Sequence, residues 1–223
     1  WQFSEKYGFV KHAQLINLRK GEAQVRVLDG LQNLIPYGIS SIVQETRSNL
    51  SHAYKKNELH PESGLGMYML SAMIVDKAEP SEALQATTVW SAGITPDSYL
   101  LSSRQLDQFR LGQALTTEID LRAEPGSSFI ESHLNLTQGE TKEWYLVSEI
   151  EQDHAEVIRL IDQLSSSDQL LTDLKADLAA STLALRHLVG MADGLQKTGY
   201  PLSAGRHYSN VLFNIMRGGI FED

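Results

Sequence analysis

Residues 141–161 read Thr141-Lys142-Glu143-Trp144-Tyr145-Leu146-Val147-Ser148-Glu149-Ile150, then Glu151-Gln152-Asp153, then His154-Ala155-Glu156-Val157-Ile158-Arg159-Leu160-Ile161. The first ten are rich in aromatic and β-branched side chains, which suit a half-buried strand. From Glu151 onward the pattern changes: acids stand where a helix N-terminus favours negative charge, and Val157, Ile161 and Leu164 share one helical face. Strand patterns dominate upstream of this point and helical patterns downstream. That division makes the fold class α+β, with a strand block at 1–150 and a helical block at 151–223.

Upstream, Thr137-Gln138-Gly139-Glu140 joins the strand over 141–150 to another over Ser127–Leu136, with Gly139 supplying the positive φ of a tight turn. At the start of the chain, Phe9 to Ile16 alternates, the turn Asn17-Leu18-Arg19-Lys20-Gly21-Glu22 follows, and Ala23 to Leu28 alternates again, the pattern of a hairpin. Gly66–Val75, Gln85–Ala92, Tyr99–Ser103 and Thr116–Leu121 are further strands. Seven or eight strands with short turns predict an antiparallel β-sandwich. Ile42, Val43, Leu50, Ala53 and Tyr54 instead sit near helical spacing, so a helical insertion is expected at about 40–59. Asp76-Lys77-Ala78-Glu79-Pro80-Ser81-Glu82-Ala83 is polar and proline-broken, and reads as an exposed loop.

In the helical block Ser165-Ser166-Ser167-Asp168 separates two helices, with Ser166 and Gln169 in capping-box register. Leu171, Leu174, Leu178, Leu185, Leu188 and Ala192 then form a narrow stripe suited to packing on another helix or on a sheet. The chain opens at Trp1 without an initiator methionine and stops soon after a new apolar helical pattern begins at Asn210. It is expected to be a piece of a longer polypeptide, with 151–223 a helical linker leading into a further C-terminal domain.

Composition removes several function classes. Nineteen Lys and Arg against 28 Asp and Glu give a net charge of -9, which offers no basic face for nucleic acid. The absence of cysteine excludes disulfides, thiolate metal sites and a cysteine nucleophile. No apolar run reaches the ~20 residues of a membrane helix, so a soluble protein without a membrane partner is expected. The bacterial cytoplasm suits it, with the periplasm as the alternative.

The seven histidines contain no His-x-x-x-His pair, and Glu151 with His154 is the one Glu-x-x-His. No metal and no cofactor is expected. Phosphate-binding glycine patterns and a Gly-x-Ser-x-Gly elbow are also missing. Sugar contact is a further reading: Tyr37, Tyr54 and Trp90 carry flat faces on which a sugar ring can stack, and Asp76, Lys77 and Glu79 lie in the loop that could line a binding edge. With Trp90, Tyr37 or Tyr54 as platform, a stand-alone carbohydrate-binding module is one reading. A sugar epimerase using His12, His133 and Glu131 as acid and base is another.

Two stretches carry a family resemblance. Phe9 to Leu18 with Val25 to Gly30 resembles the paired strands of the mutarotase-like supersandwich that opens many carbohydrate phosphorylases. Gly139 to Glu149, running into the helix over Ala155 to Leu164, is similar to the last sandwich strand and helical linker of the inverting disaccharide phosphorylases, relatives of cellobiose and chitobiose phosphorylase. The resemblance implies a sandwich, a linker and then a helical barrel that holds the catalytic acid and phosphate site. It further implies a homodimer in which sandwich loops help close the substrate mouth. On that reading this chain holds no catalytic residue and meets carbohydrate only through the parent enzyme. The stretch from Leu31 to Leu59 has no place in the usual sandwich.

Overall fold

A computed structural model describes residues 1–72, 83–165 and 168–219 of the chain. Seven strands form one antiparallel sheet. In spatial order they are β1 (Gln2–Ser4), β2 (Gly8–Ile16), β10 (Thr141–Gln152), β6 (Ala86–Ala92), β5 (Leu65–Leu70), β4 (Lys55–His60) and β8 (Asp120–Arg122). A second antiparallel sheet has the order β3 (Ala23–Leu34), β9 (Gly126–Leu136) and β7 (Ser98–Leu100). The helices are α1 (Ser41–Thr46), α2 (Ser48–Tyr54), α3 (Leu106–Arg110), α4 (His154–Ser165), α5 (Asp168–Met191) and α6 (Pro201–Asn214). The chain is thus α+β with antiparallel sheets.

Alternation along β10 builds two cores. Trp144 and Leu146 meet Leu31, Tyr68, Val89 and Ile130 in a core shared by the two sheets. Tyr145 and Val147, one residue out of phase, face the other way and pack with Tyr7, Val10 and Trp90 beneath Leu160 of α4 and Leu170, Leu174 and Leu178 of α5. Successive side chains of a strand point to opposite faces, so this one strand contributes to both layers. Between the sheets, Asp29 accepts from the Trp144 indole Nε1 at 2.7 Å and from the Gly30 amide at 2.9 Å, and it pairs with the Lys11 ammonium. A carboxylate in that position needs those donors.

The expected hairpin at 9–28 is corrected, and the tight turn at 137–140 joins strands of different sheets. β2 pairs with β1 and β10, whereas β3 pairs with β9, so both the 17–22 turn and the 137–140 turn cross from one sheet to the other. Asn17 holds the crossings together. Its backbone N–H donates to the Glu140 carbonyl at 3.0 Å, its carbonyl accepts from the Gly139 N–H at 2.8 Å, and its side-chain amide donates to the Gly21 and Leu136 carbonyls, both at 2.9 Å. Gly139 has the expected positive φ, 78°. A turn residue therefore announced a reversal of the chain without saying which sheet would receive it.

The helical insertion is shorter than expected, because residues 55–60 form β4. Lys55, Asn57 and Leu59 alternate as buried positions at 3%, 0% and 5% exposure. Two of the three are polar, so the period of two was hidden from a count of apolar residues. The acids at 151–153 also move: β10 continues to Gln152, with Glu151 at φ 60°, and only Asp153 caps α4. Its carboxylate accepts from the Glu156 N–H at 2.8 Å while the Glu156 carboxylate accepts from the Asp153 N–H at 2.8 Å, a reciprocal capping box. The box expected at Ser166 and Gln169 involves Ser166, which lies outside the described residues.

In α5 the buried positions are Leu170, Leu174 and Leu178 in its N-terminal half and Val189 near its end, while Leu185 is 40% exposed. The N-terminal half of the expected stripe is thus occupied by this chain's own sheet. Leu174→Ala should destabilise the fold by about 2–5 kcal/mol in urea denaturation, because it opens a cavity at a fully buried position. Leu183→Ala, at a position 67% exposed, should stay within about 0.5 kcal/mol of wild type.

Candidate functional site

The structure does not assemble the sugar-contact residues read from the sequence. Trp90 is corrected outright: it is 2% exposed, lies in the core beneath α4 and α5, and meets Tyr7 edge-to-face at 5.9 Å. Its placement on β6, one residue out of phase with Val89, turns it inward. Tyr37 is half-exposed after β3, and Tyr54 is half-buried as the last residue of α2. Asp76, Lys77 and Glu79 lie outside the described residues.

His12, His133 and Glu131 also do not converge. His12 shares the helix-facing side of β2 with Val10, stacks on Tyr145 at 4.5 Å and 6°, and contacts the Glu143 carboxylate at 3.2 Å. That carboxylate also pairs with Lys175, whose ammonium beside it holds it below the usual carboxylate range. Glu131 and His133 belong to the opposite layer: Ile130 points into the inter-sheet core, so its alternates on β9 point outward. There Glu131 is buried, paired with Arg26 and accepting from the Ser98 hydroxyl, and His133 contacts Asp97 at 2.9 Å. Each acid is committed to a local partner, which is a structural arrangement.

The most varied chemistry converges elsewhere, on a cavity of about 240 Å³ between the large sheet and α4. Tyr7 and Trp90 form its aromatic wall, Glu149 comes from the end of β10, and Glu156 and Arg159 come from α4, with Lys6 at the rim. The local fold places them. Gly8, at φ 81°, leaves space where a Cβ would strike the Glu149 carboxylate. The bulge after Glu149 and the positive φ of Glu151 turn the chain into α4, where Glu156 and Arg159, three apart, share a face. Tyr7 is 5% exposed, and the Lys6 ammonium lies 4.8 Å from its ring centroid and beside its hydroxyl, an interaction that raises the Lys6 pKa. Partial burial raises the pKa of Glu149 above the ordinary glutamate value, a hydrogen bond from the Ile150 N–H opposes the rise, and the neighbouring Glu156 and Glu151 carboxylates add to it.

None of these cavity residues except Trp90 stood out in the sequence. Lys6 and Tyr7 belong to a turn, and Glu149 and Glu156 flank the strand-to-helix change seven residues apart. Only the change of period at 150 hinted that residues from two kinds of element would face one another there.

A second concave surface is apolar. Trp1, Phe3 and Phe9 at the β1 edge face Ala184, Leu185 and Leu188 of α5 across a groove of about 550 Å³. Phe3 and Phe9 pack edge-to-face at 5.7 Å and are each about half exposed.

No protein-family model matches the chain, and a search of curated proteins returns no significant match. Among the described residues, no helix is long and apolar enough to cross a membrane.

The Glu149 shift has a consequence for stability. A carboxyl whose pKa is raised in the folded state favours folding when protonated, and that contribution is lost as pH rises through the folded value. Glu149→Gln keeps an acceptor for the Ile150 N–H and removes the charge. It should raise the melting temperature at pH 7, and the gain should vanish below about pH 4, where glutamate is protonated in both states. Thermal melts of both proteins at the two pH values check this.

Proposed function

We propose that this chain is a non-catalytic N-terminal region of a larger carbohydrate-active enzyme of the glycoside phosphorylase or hydrolase type. In this reading the two sheets correspond to part of a mutarotase-like supersandwich and the helices to the linker that leads to a catalytic barrel. The region supports that barrel, contributes to homodimer contacts and lends loops to the substrate mouth of a cytoplasmic enzyme. The observation that carries the reading is the apolar surface outside the two cores. Trp1 and Phe3 at the sheet edge, Leu185 and Met191 on α5, and Leu202 and Phe213 on α6 are between 40% and 76% exposed. A free-standing soluble domain seldom displays large side chains of this kind in such number along one sheet edge and two helices, and extended apolar surface marks an interface.

Sugar chemistry enters through the order of elements, strands followed by helices, which matches the order implied by the resemblance. The pairing of β2 with β3 that the resemblance implied is not found, since those strands lie in different sheets. Support for the carbohydrate part therefore rests on the 139–164 stretch.

Two measurements test the proposal. The purified chain, incubated with cellobiose or chitobiose with and without phosphate, should release neither sugar phosphate nor free monosaccharide above the buffer rate; turnover overturns the non-catalytic assignment. In sedimentation velocity it should self-associate with rising concentration, and Leu185→Glu should shift it toward monomer. A wild-type chain that stays monomeric throughout contradicts the interface reading.

A further inference from the structure

The cavity between the large sheet and α4 gathers two cations and two carboxylates that do not satisfy one another. Among the described residues, Lys6, Arg159, Glu149 and Glu156 take part in no salt bridge, although all four line this one space. Each is nonetheless partly anchored. Arg159 Nε donates to the Ala155 carbonyl at 3.2 Å, which tethers the guanidinium and leaves its terminal nitrogens available. Glu156 has one oxygen engaged on the Asp153 N–H and Glu149 has one engaged on the Ile150 N–H at 3.0 Å, so each retains a second oxygen. Lys6 stands beside the buried Tyr7 hydroxyl, whose hydrogen bond to the ammonium raises the lysine's pKa, and the Asp173 and Asp177 carboxylates of α5 add to the rise.

We propose that this cavity binds a small zwitterion of the α-amino-acid type, its carboxylate held by Arg159 and Lys6 and its ammonium placed between Glu149 and Glu156 against the Tyr7–Trp90 pair. The charge arrangement selects this class. A simple anion would meet two carboxylates, and a simple cation would meet a guanidinium and an ammonium. A neutral polyol would leave Glu149 and Glu156 without a cation between them, although the Glu156 charge already raises the pKa of Glu149. A zwitterion answers all four groups, and its ammonium gains further from the aromatic faces. The volume, about 240 Å³, lies below the range typical of drug-sized ligands and fits a small one. The site stands on the cavity alone and does not depend on the enzyme reading above.

The test uses the intact chain, tryptophan fluorescence and calorimetry, and a fixed set of probes: glycine, L-leucine and L-phenylalanine as zwitterions, acetate and ethylamine as single-ended analogues, and D-glucose as a neutral polyol. At least one amino acid should saturate the site in the millimolar range or below, more tightly than either single-ended analogue. Arg159→Met and Glu149→Gln should each weaken it by about tenfold or more, the loss expected for a charge-assisted hydrogen bond. Arg159 is exposed and Glu149→Gln is expected to stabilise the fold, so both variants should remain folded; circular dichroism confirms it. Absence of saturation by all three amino acids at tens of millimolar overturns the proposal. Equal affinity for acetate or ethylamine, preference for D-glucose, or affinity unchanged by both substitutions overturns it as well.

Discussion

The structure depends on the alternation of β10. Trp144 and Leu146 enter the core between the sheets, and Tyr145 and Val147 enter the core beneath the helices. A one-residue slip of this strand would exchange the two sets and place each in the wrong layer. Register is held from both sides, by β2 from Thr141↔Ile16 to Ser148↔Phe9 and by β6 from Tyr145↔Ala92 to Glu149↔Thr88. The Trp144 hydrogen bond to Asp29 adds a link from this strand to the other sheet. Two cores and two neighbouring strands thus constrain a single register.

The same strand positions the polar cavity. Its bulge past Glu149 shifts the register with β6, whose pairing resumes at Gln152↔Ala86 before the chain enters α4, and the capping box of that helix is built from the first residues beyond the strand. Glu149 consequently sits at the margin of the buried sheet, where solvent is partly excluded, and Glu156 and Arg159 face it from the first two turns of the helix. A site formed where a strand gives way to a helix combines a rigid floor with a wall of longer, charged side chains. The apolar groove at the β1 edge has the opposite character: it is assembled from residues that the two cores leave uncovered.

Several features were legible before the structure was known. The strand over 127–136, the start of that over 141–152, the reversal at Gly139 and the helical character beyond 154 follow from side-chain period and turn chemistry. The candidate site was far less legible. Trp90 read as a surface platform because a large aromatic at a strand end carries no mark of which face it takes. β4 was read as helix because Lys55 and Asn57 occupy buried positions where apolar residues are the usual signal. Glu149 and Glu156 carried no mark as site residues, since their shared cavity is created by the turn between them and by Lys6 and Tyr7, more than 140 positions away in the chain.

What the sequence by itself determined is the local character of each segment, because period-two and period-3.6 patterns follow from backbone geometry that each short stretch carries within it. Tertiary structure alone decided which sheet each strand joined, that both faces of β6 were buried, and which charged groups came to share a cavity. The backbone groups that pair strands are the same in nearly every residue, so partner choice rests on packing between distant segments. The hairpin pattern at 9–28 and the strand-turn-strand pattern at 127–150 were therefore resolved only when Asn17 tied both turns into crossings between the two sheets.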